Sequence, residues 1–268
     1  MNSIHTFVVL AYKESKYLEE CLKSVTSQSI KTQIIIATST PNQYIYNLAK
    51  KYNLDVIVNK NHNGIGGDFN FALQCANTEL VTIAHQDDIY EPDYAKYVID
   101  NYMKYPNSII LFSDYYEIRG KEKESKNKNL QVKRMLLKPI IGQNKSDRIR
   151  NKRAIIKFGN SICCPAVTFS KKNIKKDILE KLFICNFKCN VDWHAWEILS
   201  KESGNFIYIN EILMGHRISE ESTTSEIIAA NIRTKEDLEM LEKFWPKCIA
   251  KVINKFYVKS EKSNKLKV

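Results

Sequence analysis

The chain has 268 residues, of which 44% are hydrophobic and 26% are charged, the balance of an ordinary soluble globular protein that can bury a full core. No apolar run reaches membrane-spanning length, and no signal peptide is expected after Met1. The seven cysteines lack framework spacing, which predicts reduced thiols in the cytoplasm. The net charge of +11 suits phosphorylated ligands or anionic lipid. No nucleic-acid-binding motif accompanies it, so nucleic acid is not an expected partner.

Strand-like and helix-like stretches alternate in the first half of the chain. Short apolar runs predict strands at 7–11, 34–37, 54–58, 80–84 and 108–113. Helical patterns lie between them; Thr40 would cap one helix, with Pro41 in its first turn. Further helices are predicted to open at Asp68 and at Pro92. Strands separated by helices of this length indicate βαβ units and a parallel sheet.

A pair of carboxylates, Asp87 and Asp88, follows the strand predicted at 80–84. In open α/β sheets, ligands bind at the carboxyl ends of the strands. Adjacent carboxylates repel each other, so a cation is the natural means of keeping both ionised. Mg²⁺ and Mn²⁺ bind one or two carboxylates together with phosphate oxygens and water. The alternative is a polar turn in which one aspartate caps the following helix.

A glycine-bearing loop, Asn63-Gly-Ile-Gly-Gly-Asp68, follows the third predicted strand. It is neither a Walker A loop nor a dinucleotide-binding fingerprint. One interpretation is a flexible turn between strand and helix. The other is a close approach of the backbone to a nucleotide, with the N–H groups of the next helix facing a phosphate.

Together these features resemble the inverting family 2 glycosyltransferases of the A-type nucleotide-sugar fold. The resemblance covers residues 4–225, and each motif is weak alone but specific in this order. The matching segments are 8–28 (opening strand, Tyr and helix), 63–70 (Asn-x-Gly…Asn loop), 86–88 (Asp-x-Asp motif), 164–169 (acceptor-side strand), 191–193 (base-bearing helix start) and 213–223 (late Arg-Ile-His…Ser-Thr segment).

The resemblance implies an α/β fold with a mostly parallel nucleotide-binding sheet flanked by helices, an acceptor-side subregion and C-terminal helices. It divides the chain into a nucleotide-sugar-binding subdomain (1–115), an acceptor-side, catalytic subdomain (116–225) and a C-terminal helical segment (226–268). The implied activity is metal-dependent, inverting transfer of a sugar from a nucleotide-diphosphate donor, a UDP-sugar by default. The acceptor would be a glycan or a lipid-linked precursor in surface-polysaccharide synthesis.

The resemblance also assigns roles to single residues. Asp88 would bind a divalent cation, Mn²⁺ or Mg²⁺, directly, and Asp87 would contact the ribose or a water on that cation. His216 and Arg217 would face the diphosphate, and Cys164 and Trp193 the acceptor. The residues expected to bind the nucleotide sugar are Ala11, Tyr12, Glu14, Thr38, Asn63, Gly64, Asp68, Asn70, Gln86 and Asp87.

Four positions depart from the family pattern. Residues 37–40 lack the Asp that reads a uracil base in many members. Phe69 stands in place of a common Arg, Lys13 in place of Asn, and Ser219 in place of His. The resemblance still implies the same fold and reaction class, but with these departures it does not identify the sugar donor.

Asp192 is the candidate base, because inverting transfer requires a group that takes the proton of the acceptor hydroxyl. It precedes a helix-like segment, where the helix dipole favours the ionised carboxylate. The competing interpretation is that Asp192 only caps that helix. Trp193 and Trp196 are spaced for one helix face, and either a sugar face or the protein core would accommodate them.

Two basic segments remain. Residues 116–135 are predicted to form a flexible loop. Residues 236–256 are predicted to be helical with a break at Pro246, and the second part carries an apolar stripe flanked by lysines. That stripe would lie on the protein's own core or on an anionic membrane surface, which would place the protein at the inner face of the plasma membrane. The alternative functions are a nucleotidyltransferase on a similar sheet and a non-catalytic polyanion-binding protein.

Overall fold

The computed structural model describes residues 3–61, 64–142, 144–218 and 223–265, without the side chains of 223–231 and 258–265. The strands in these ranges are β1 (His5–Ala11), β2 (Gln33–Thr38), β3 (Asp55–Val58), β4 (Leu80–His85), β5 (Ile89–Tyr90), β6 (Ser108–Arg119), β7 (Glu122–Glu124), β8 (Val167–Ser170) and β9 (Asn205–Arg217). The α-helices are α1 (Leu18–Thr26), α2 (Gln43–Tyr52), α3 (Gly64–Cys75), α4 (Tyr94–Lys104), α5 (Lys128–Leu137), α6 (Ile149–Ile156), α7 (Lys176–Leu179), α8 (Val191–Leu199), α9 (Thr223–Glu242) and α10 (Lys247–Lys265).

The described strands form one sheet in the order β3-β2-β1-β4-β8-β6-β9-β5, with β7 paired to β6. Strands β1 to β4 pair in parallel, and so do β6 and β9. β8 lies antiparallel between β4 and β6, and β5 is antiparallel to β9. The predicted α/β fold with a mostly parallel, helix-flanked sheet is therefore confirmed, with antiparallel strands added in the second half.

Helices cover both faces of the sheet. Val8 of β1 belongs to the core that α3, α6, α8, α9 and α10 share, whereas Phe7 and Val9 belong to the core under α1, α2 and α4. Because successive side chains of a strand point to opposite faces, a strand covered on both sides must be apolar throughout. This explains the unbroken apolar runs in the sequence.

The division into three segments stays a prediction. β6 runs across position 115, so the first two predicted segments share one continuous sheet. The break predicted at Pro246 falls between α9 and α10. No helix in the described ranges has the length and apolarity needed to cross a bilayer.

The prediction for the start of α2 was wrong. Asn42 is the N-cap, and its side-chain oxygen accepts a hydrogen bond from the backbone N–H of Ile45 at 3.0 Å. Thr40 instead accepts from the backbone N–H of Lys13 at 2.6 Å. The Thr40 hydroxyl therefore joins the loop after β1 to the loop after β2, which is a tertiary contact that capping statistics do not contain.

The prediction of a flexible loop at 116–135 was also wrong. This segment forms the end of β6, then β7 and most of α5. The side-chain oxygen of Asn127 caps α5 by accepting from the backbone N–H of Leu130 at 2.9 Å. Leu130 and Leu137 are buried on the inner side of α5, so two apolar anchors fix a helix whose composition is basic.

The glycine loop also differs from expectation, because α3 begins at Gly64 rather than at Asp68. Gly64 has φ of +70°, a left-handed conformation that glycine adopts without strain. At Gly66 an added Cβ would overlap the backbone carbonyl of Phe183. Glycine at position 66 thus permits a close approach to the protein's own chain, and this contact does not involve a nucleotide.

Replacing Gly66 with alanine is expected to destabilise the protein. Relief of the overlap with the Phe183 carbonyl requires a backbone shift, and overpacking of this kind costs about 1–3 kcal/mol. Chemical denaturation measures the free energy of unfolding. Ile65→Ala is the control, because Ile65 is an exposed neighbour on the same helix. Equal stability of Gly66→Ala and wild type would show that this close approach is not a constraint.

Candidate active site at the carboxyl edge of the sheet

The carboxyl ends of β1, β2, β3 and β4 lie side by side because these strands are parallel neighbours. Gln86, after β4, holds the loop after β1. Its Oε1 accepts from the backbone N–H of Tyr12 at 2.9 Å, and its Nε2 donates to the Tyr12 carbonyl at 3.1 Å. The phenol ring of Tyr12 stays half exposed. Gln86 therefore fixes the loop backbone and leaves an aromatic surface free for a ligand.

Asp68 joins the loops after β2 and β3. Its two carboxylate oxygens accept from the Ser39 hydroxyl and the Asn59 side-chain amide, each at 2.8 Å. Thr38, at the end of β2, is buried beneath this network. The network makes the floor of the edge polar and rigid, and the carboxylate of Asp68 is committed to protein partners.

Asp88 is fully buried, and protein donors hold one of its two oxygens. Oδ1 accepts from the backbone N–H of Arg217 at 2.8 Å and lies 3.1 Å from Nδ1 of His216. The pairing of β5 with β9, in which Ile89 lies opposite Gly215, brings the two segments together. The strand pairing therefore places the carboxylate and the late-motif residues side by side.

Arg217 connects three parts of the site. Its Nε donates to the carbonyl of Asp87 at 2.9 Å, and its Nη2 donates to Oε2 of Glu20 at 2.6 Å. The guanidinium also lies 4.2 Å from the centre of the Tyr17 ring, within range of a cation–π interaction. Arg217 is almost buried, so its planar fork fixes the strand end, α1 and β9 relative to each other.

The charges of this cluster act on one another. Burial raises the pKa of Asp87, and the nearby carboxylate of Asp88 raises it further. Burial opposes protonation of His216, but the charge and hydrogen bond of Asp88 outweigh it, so the pKa of His216 is raised. The two carboxylates thus favour a positive charge nearby, and His216 supplies part of it when it is protonated.

The residues present suit a divalent cation that takes its other ligands from phosphate oxygens and water. Oδ2 of Asp88 and Nε2 of His85 are buried and have no hydrogen-bond partner among the described residues, and Nδ1 of His85 lies 3.9 Å from Asp88 Oδ2. Within the described ranges no three His, Cys, Asp or Glu side chains converge as an all-protein metal site requires. Mg²⁺ and Mn²⁺ accept such partial sites, because water and phosphate oxygens complete their coordination.

Asp192 lies in the first turn of α8, whose N-cap is Asn190. Asp192 is therefore not the N-cap of α8, which the capping interpretation required. Its Oδ1 accepts from the backbone N–H of Trp193 at 2.8 Å, and its Oδ2 accepts from the Asn160 side-chain amide at 2.6 Å. Burial raises the pKa of Asp192, and these two hydrogen bonds oppose the rise. A carboxylate with a raised pKa is a stronger base than an exposed one.

Cys163 and Cys164 lie between the two acidic groups. Burial raises the pKa of each thiol, and the charges of Asp88 and Asp192 reach both of them. Cys164 begins the 3₁₀ turn Cys164–Ala166 that precedes β8. The segment at 163–166 therefore lies near both Asp88 and Asp192, and the acceptor role of Cys164 stays a prediction.

Lys133 is a cation that the sequence patterns did not single out. Its Nζ donates to the Tyr115 hydroxyl at 2.9 Å, and its charge acts on both Asp192 and His216. The Tyr115 ring lies 6.1 Å from the ring of His216. Lys133 lies on α5, in the segment predicted to be a loop, and no motif spacing could have identified it.

Other residues that the patterns did not assign are His85, Asn160 and Glu20. The adjacency of His85 to the Asp87–Asp88 pair was a usable signal. Asn160 and Glu20 carry no local signal, because their contacts join segments far apart in the chain.

The side chains of two assigned residues, Trp193 and Asn70, are buried in contacts with the protein itself. Trp193 is fully buried, with its indole N–H donating to the carbonyl of Ile156 at 3.0 Å, and Trp196 is fully buried as well. Neither ring can stack on an acceptor sugar, so the core interpretation applies to both. The side chain of Asn70 is also buried and binds the backbone of Glu180 and Phe183. These contacts remove Trp193 from the acceptor set and Asn70 from the donor set.

The remaining assigned residues lie at the edge or outside the described part. Ala11 is buried at the end of β1, and Glu14 is exposed on the loop that follows. Asn63 lies outside the described residues, and Gly64 follows it at the exposed start of α3.

Comparison with known proteins identifies one family. A family model described as glycosyl transferase family 2 matches residues 6–178. No sequence among the curated proteins matches.

Several solved structures have a similar fold. S. aureus TarS 1-349 in complex with UDP-GlcNAc is 16% identical, with a TM-score of 0.61 over 95% of this chain and 70% of that chain. The mannosyltransferase PcManGT from Pyrobaculum calidifontis, in complex with GDP-Man and Mn²⁺, is 13% identical, with a TM-score of 0.62 over 96% and 70%. Glucosyl-3-phosphoglycerate synthase from Mycobacterium tuberculosis, with Mn²⁺ and UDP, is 13% identical, with a TM-score of 0.52 over 86% and 76%. The chain spans 42% of a longer TarS structure. At these identities the likeness concerns the fold.

Replacing Arg217 with lysine is expected to lower the free energy of unfolding by about 1.5–3 kcal/mol, since a lysine cannot keep the charged hydrogen bonds to both Asp87 and Glu20. Chemical denaturation gives the value. Arg150→Lys is the control: Arg150 is exposed on α6, and ion pairs of an arginine at the surface contribute about 0–1 kcal/mol. Equal effects of the two substitutions would contradict the role given to Arg217.

Proposed function

The chain belongs to glycosyl transferase family 2, and we propose that it transfers a sugar, with inversion, from a nucleoside-diphosphate donor to a hydroxyl group of a glycan or lipid-linked acceptor. The observation that supports this most is the buried Asp88 at the carboxyl edge of the parallel strands, with one oxygen that no described residue hydrogen-bonds. Such an edge is where open α/β sheets bind ligands. The neighbours bound to UDP-GlcNAc and GDP-Man support a nucleotide sugar as the donor class.

The loops after β1, β2 and β4 would bind the nucleotide. The half-exposed ring of Tyr12 offers an aromatic surface for the base, and Gln86 keeps the Tyr12 backbone in place. Asp87 lies beside Asp88, where it would contact the ribose or a water on the cation. UDP remains the default nucleoside diphosphate, although residues 37–40 lack an acid that would read uracil.

Asp88 Oδ2, with His216 and His85 beside it, would hold a divalent cation, Mn²⁺ or Mg²⁺. Neighbours in complex with Mn²⁺ support the choice. The cation, when bound, acts as a Lewis acid that neutralises charge on the departing diphosphate. The backbone N–H of Arg217 and the Arg217 side chain keep Asp88 and Asp87 in position throughout.

Asp192 would take the proton from the acceptor hydroxyl as that oxygen attacks the anomeric carbon. The bond from the anomeric carbon to the diphosphate breaks as the new glycosidic bond forms, and the proton ends on the carboxylate. Asn160 and the backbone N–H of Trp193 orient the carboxylate. The charge of Lys133 lies near both Asp192 and His216, so it would favour the ionised base and the anionic leaving group together.

The setting is proposed to be polysaccharide synthesis in the cytoplasm. Within the described part of the chain no disulfide joins any of the seven cysteines, which is typical of a reducing compartment. The alternatives, a nucleotidyltransferase and a non-catalytic polyanion binder, are disfavoured by family membership. Their products separate them, because a nucleotidyltransferase releases pyrophosphate and a binding protein releases nothing.

Asp88→Asn is expected to lower the release of nucleoside diphosphate about 10²-fold or more. The new amide keeps an oxygen for the Arg217 N–H but replaces Oδ2 with a donor that cannot bind a cation. Chromatography of the nucleotide products, with and without Mn²⁺, measures the effect. Asp93→Asn is the control, since Asp93 is exposed and makes no capping hydrogen bond. Full activity of Asp88→Asn, or pyrophosphate as the product, would contradict the proposal.

Asp192→Asn is expected to lose at least ~10²-fold in transfer rate while donor affinity is kept. The raised pKa of Asp192 means that the ionised carboxylate destabilises the folded state at neutral pH. The variant should therefore unfold at an equal or higher temperature. Asn160 can rotate its side-chain amide, whose Oδ1 has no partner among the described residues, to accept from the new amide.

The pH profile provides a second readout for Asp192. Because the base must be ionised, kcat/KM of the wild type should fall with decreasing pH at a value above the ordinary aspartate pKa of about 3.9. Asp177→Asn is the control, as Asp177 is exposed in the first turn of another helix. Near-normal transfer by Asp192→Asn would exclude Asp192 as the base.

A further inference from the structure

Helix α10 uses one face to dock on the protein. Ala250 and Asn254 are buried, and Ile253 packs against the core. The ring of Tyr257 lies 6.0 Å from the ring of Trp193. These positions recur every three or four residues, so they form one continuous inner side of the helix. The inner side of α10 therefore packs on the protein's own core, as one of the two interpretations of this segment predicted.

A second apolar stripe lies outside this inner side. We define the outer stripe as Ile249, Val252 and Phe256, which are 42%, 54% and 71% exposed. Their spacing of three and four residues places them on one face of α10. A single exposed apolar side chain is ordinary, but a helix that has already buried one apolar face gains nothing for its own fold from a second. The outer stripe is available for a partner.

Lysines accompany the outer stripe. Lys247, Lys251 and Lys255 are exposed and recur every four residues, so they form a basic row along α10. Among the described side chains none of the three has an ion-pair partner. Over its length α10 contains six lysines and one glutamate. An apolar stripe beside a basic row matches a surface that is apolar inside and anionic outside, which is the interface of an anionic bilayer.

A second copy of the chain fits the outer stripe less well. In a two-fold dimer the same surface of each copy meets the other, so the basic rows of two α10 helices would lie close together. Like charges in an interface oppose association. Anionic lipid headgroups, in contrast, neutralise the lysines while the acyl region receives Phe256 and Val252.

We infer that the outer stripe and basic row of α10 bind the surface of an anionic lipid bilayer, with the helix lying in the plane of the headgroups. The inner side of the same helix contacts Trp193, which follows Asp192. Docking would therefore hold the acceptor side of the candidate active site close to the membrane. The inference does not depend on the proposed reaction, because it rests on the surface of α10 alone.

Vesicle flotation of the full chain tests the inference. Vesicles rich in phosphatidylglycerol should carry the protein upward, and vesicles of phosphatidylcholine alone should not. Val252→Glu with Phe256→Glu should weaken binding at least about tenfold, because two apolar side chains no longer enter the interface. Lys251→Gln with Lys255→Gln should weaken binding about fivefold per lysine. Added salt should also weaken binding of the wild type, because it screens the lysine charges.

Matched control substitutions are made at exposed positions of α4. Met103→Glu removes an apolar side chain that is 62% exposed, and Lys96→Gln with Lys104→Gln removes two exposed lysines. Neither should change flotation. Thermal melting verifies that every variant is folded, and product assays of the proposed transferase activity are run separately.

Three outcomes would overturn the inference: wild type that stays at the bottom with anionic vesicles, equal flotation of wild type and both α10 variants, or equal binding to the two kinds of vesicle. Size-exclusion chromatography adds a fourth. A wild-type dimer that Phe256→Glu converts to monomers would assign the outer stripe to a second copy of the chain.

Discussion

The buried carboxylate of Asp88 is the interaction on which the rest of the site depends. A fully buried charge is stable only where donors or cations surround it, and here the backbone N–H of Arg217 and the ring of His216 supply one side. The pairing of β5 with β9 makes this arrangement. A change that shifts β9 along β5 would move both donors away and leave the carboxylate without partners.

In the described part of the chain Oδ2 of Asp88 has no hydrogen-bond partner, so this oxygen is available to a ligand. Asp87 and Asp88 stand together after β4; burial raises the pKa of Asp87, and repulsion from Asp88 raises it further. Arg217 does not relieve this repulsion fully, because its side chain binds the carbonyl of Asp87 and the carboxylate of Glu20. The protein therefore retains negative charge at a point where a cation would offset it.

The pKa of Asp192 is also raised, but its surroundings differ from those of Asp87 and Asp88. It lies at the start of α8 among buried apolar residues, and its two hydrogen bonds come from Asn160 and the backbone of Trp193. Burial of Trp193 against the carbonyl of Ile156 and beside Tyr257 keeps the start of α8 in place. The aromatic residue assigned to substrate contact thus supports the position of the neighbouring acid, and α10 is linked to the candidate active site through the same ring.

The amino-acid sequence by itself determined the parallel strands, the helices between them and the acidic pair at the end of β4, because these features depend on local periodicity and on residues close together in the chain. It also determined the ordered motifs that indicated the family. Only the tertiary structure decided which side chains meet. Asp88 and Arg217 are 129 residues apart in the chain, and no spacing rule predicts such a contact. The last part of the basic segment at 116–135 is helical, in α5, because Leu130 and Leu137 bury against the core. Trp193 is a core residue for the same reason. Burial depends on what the rest of the chain places around a side chain, and that information exists only in the folded molecule.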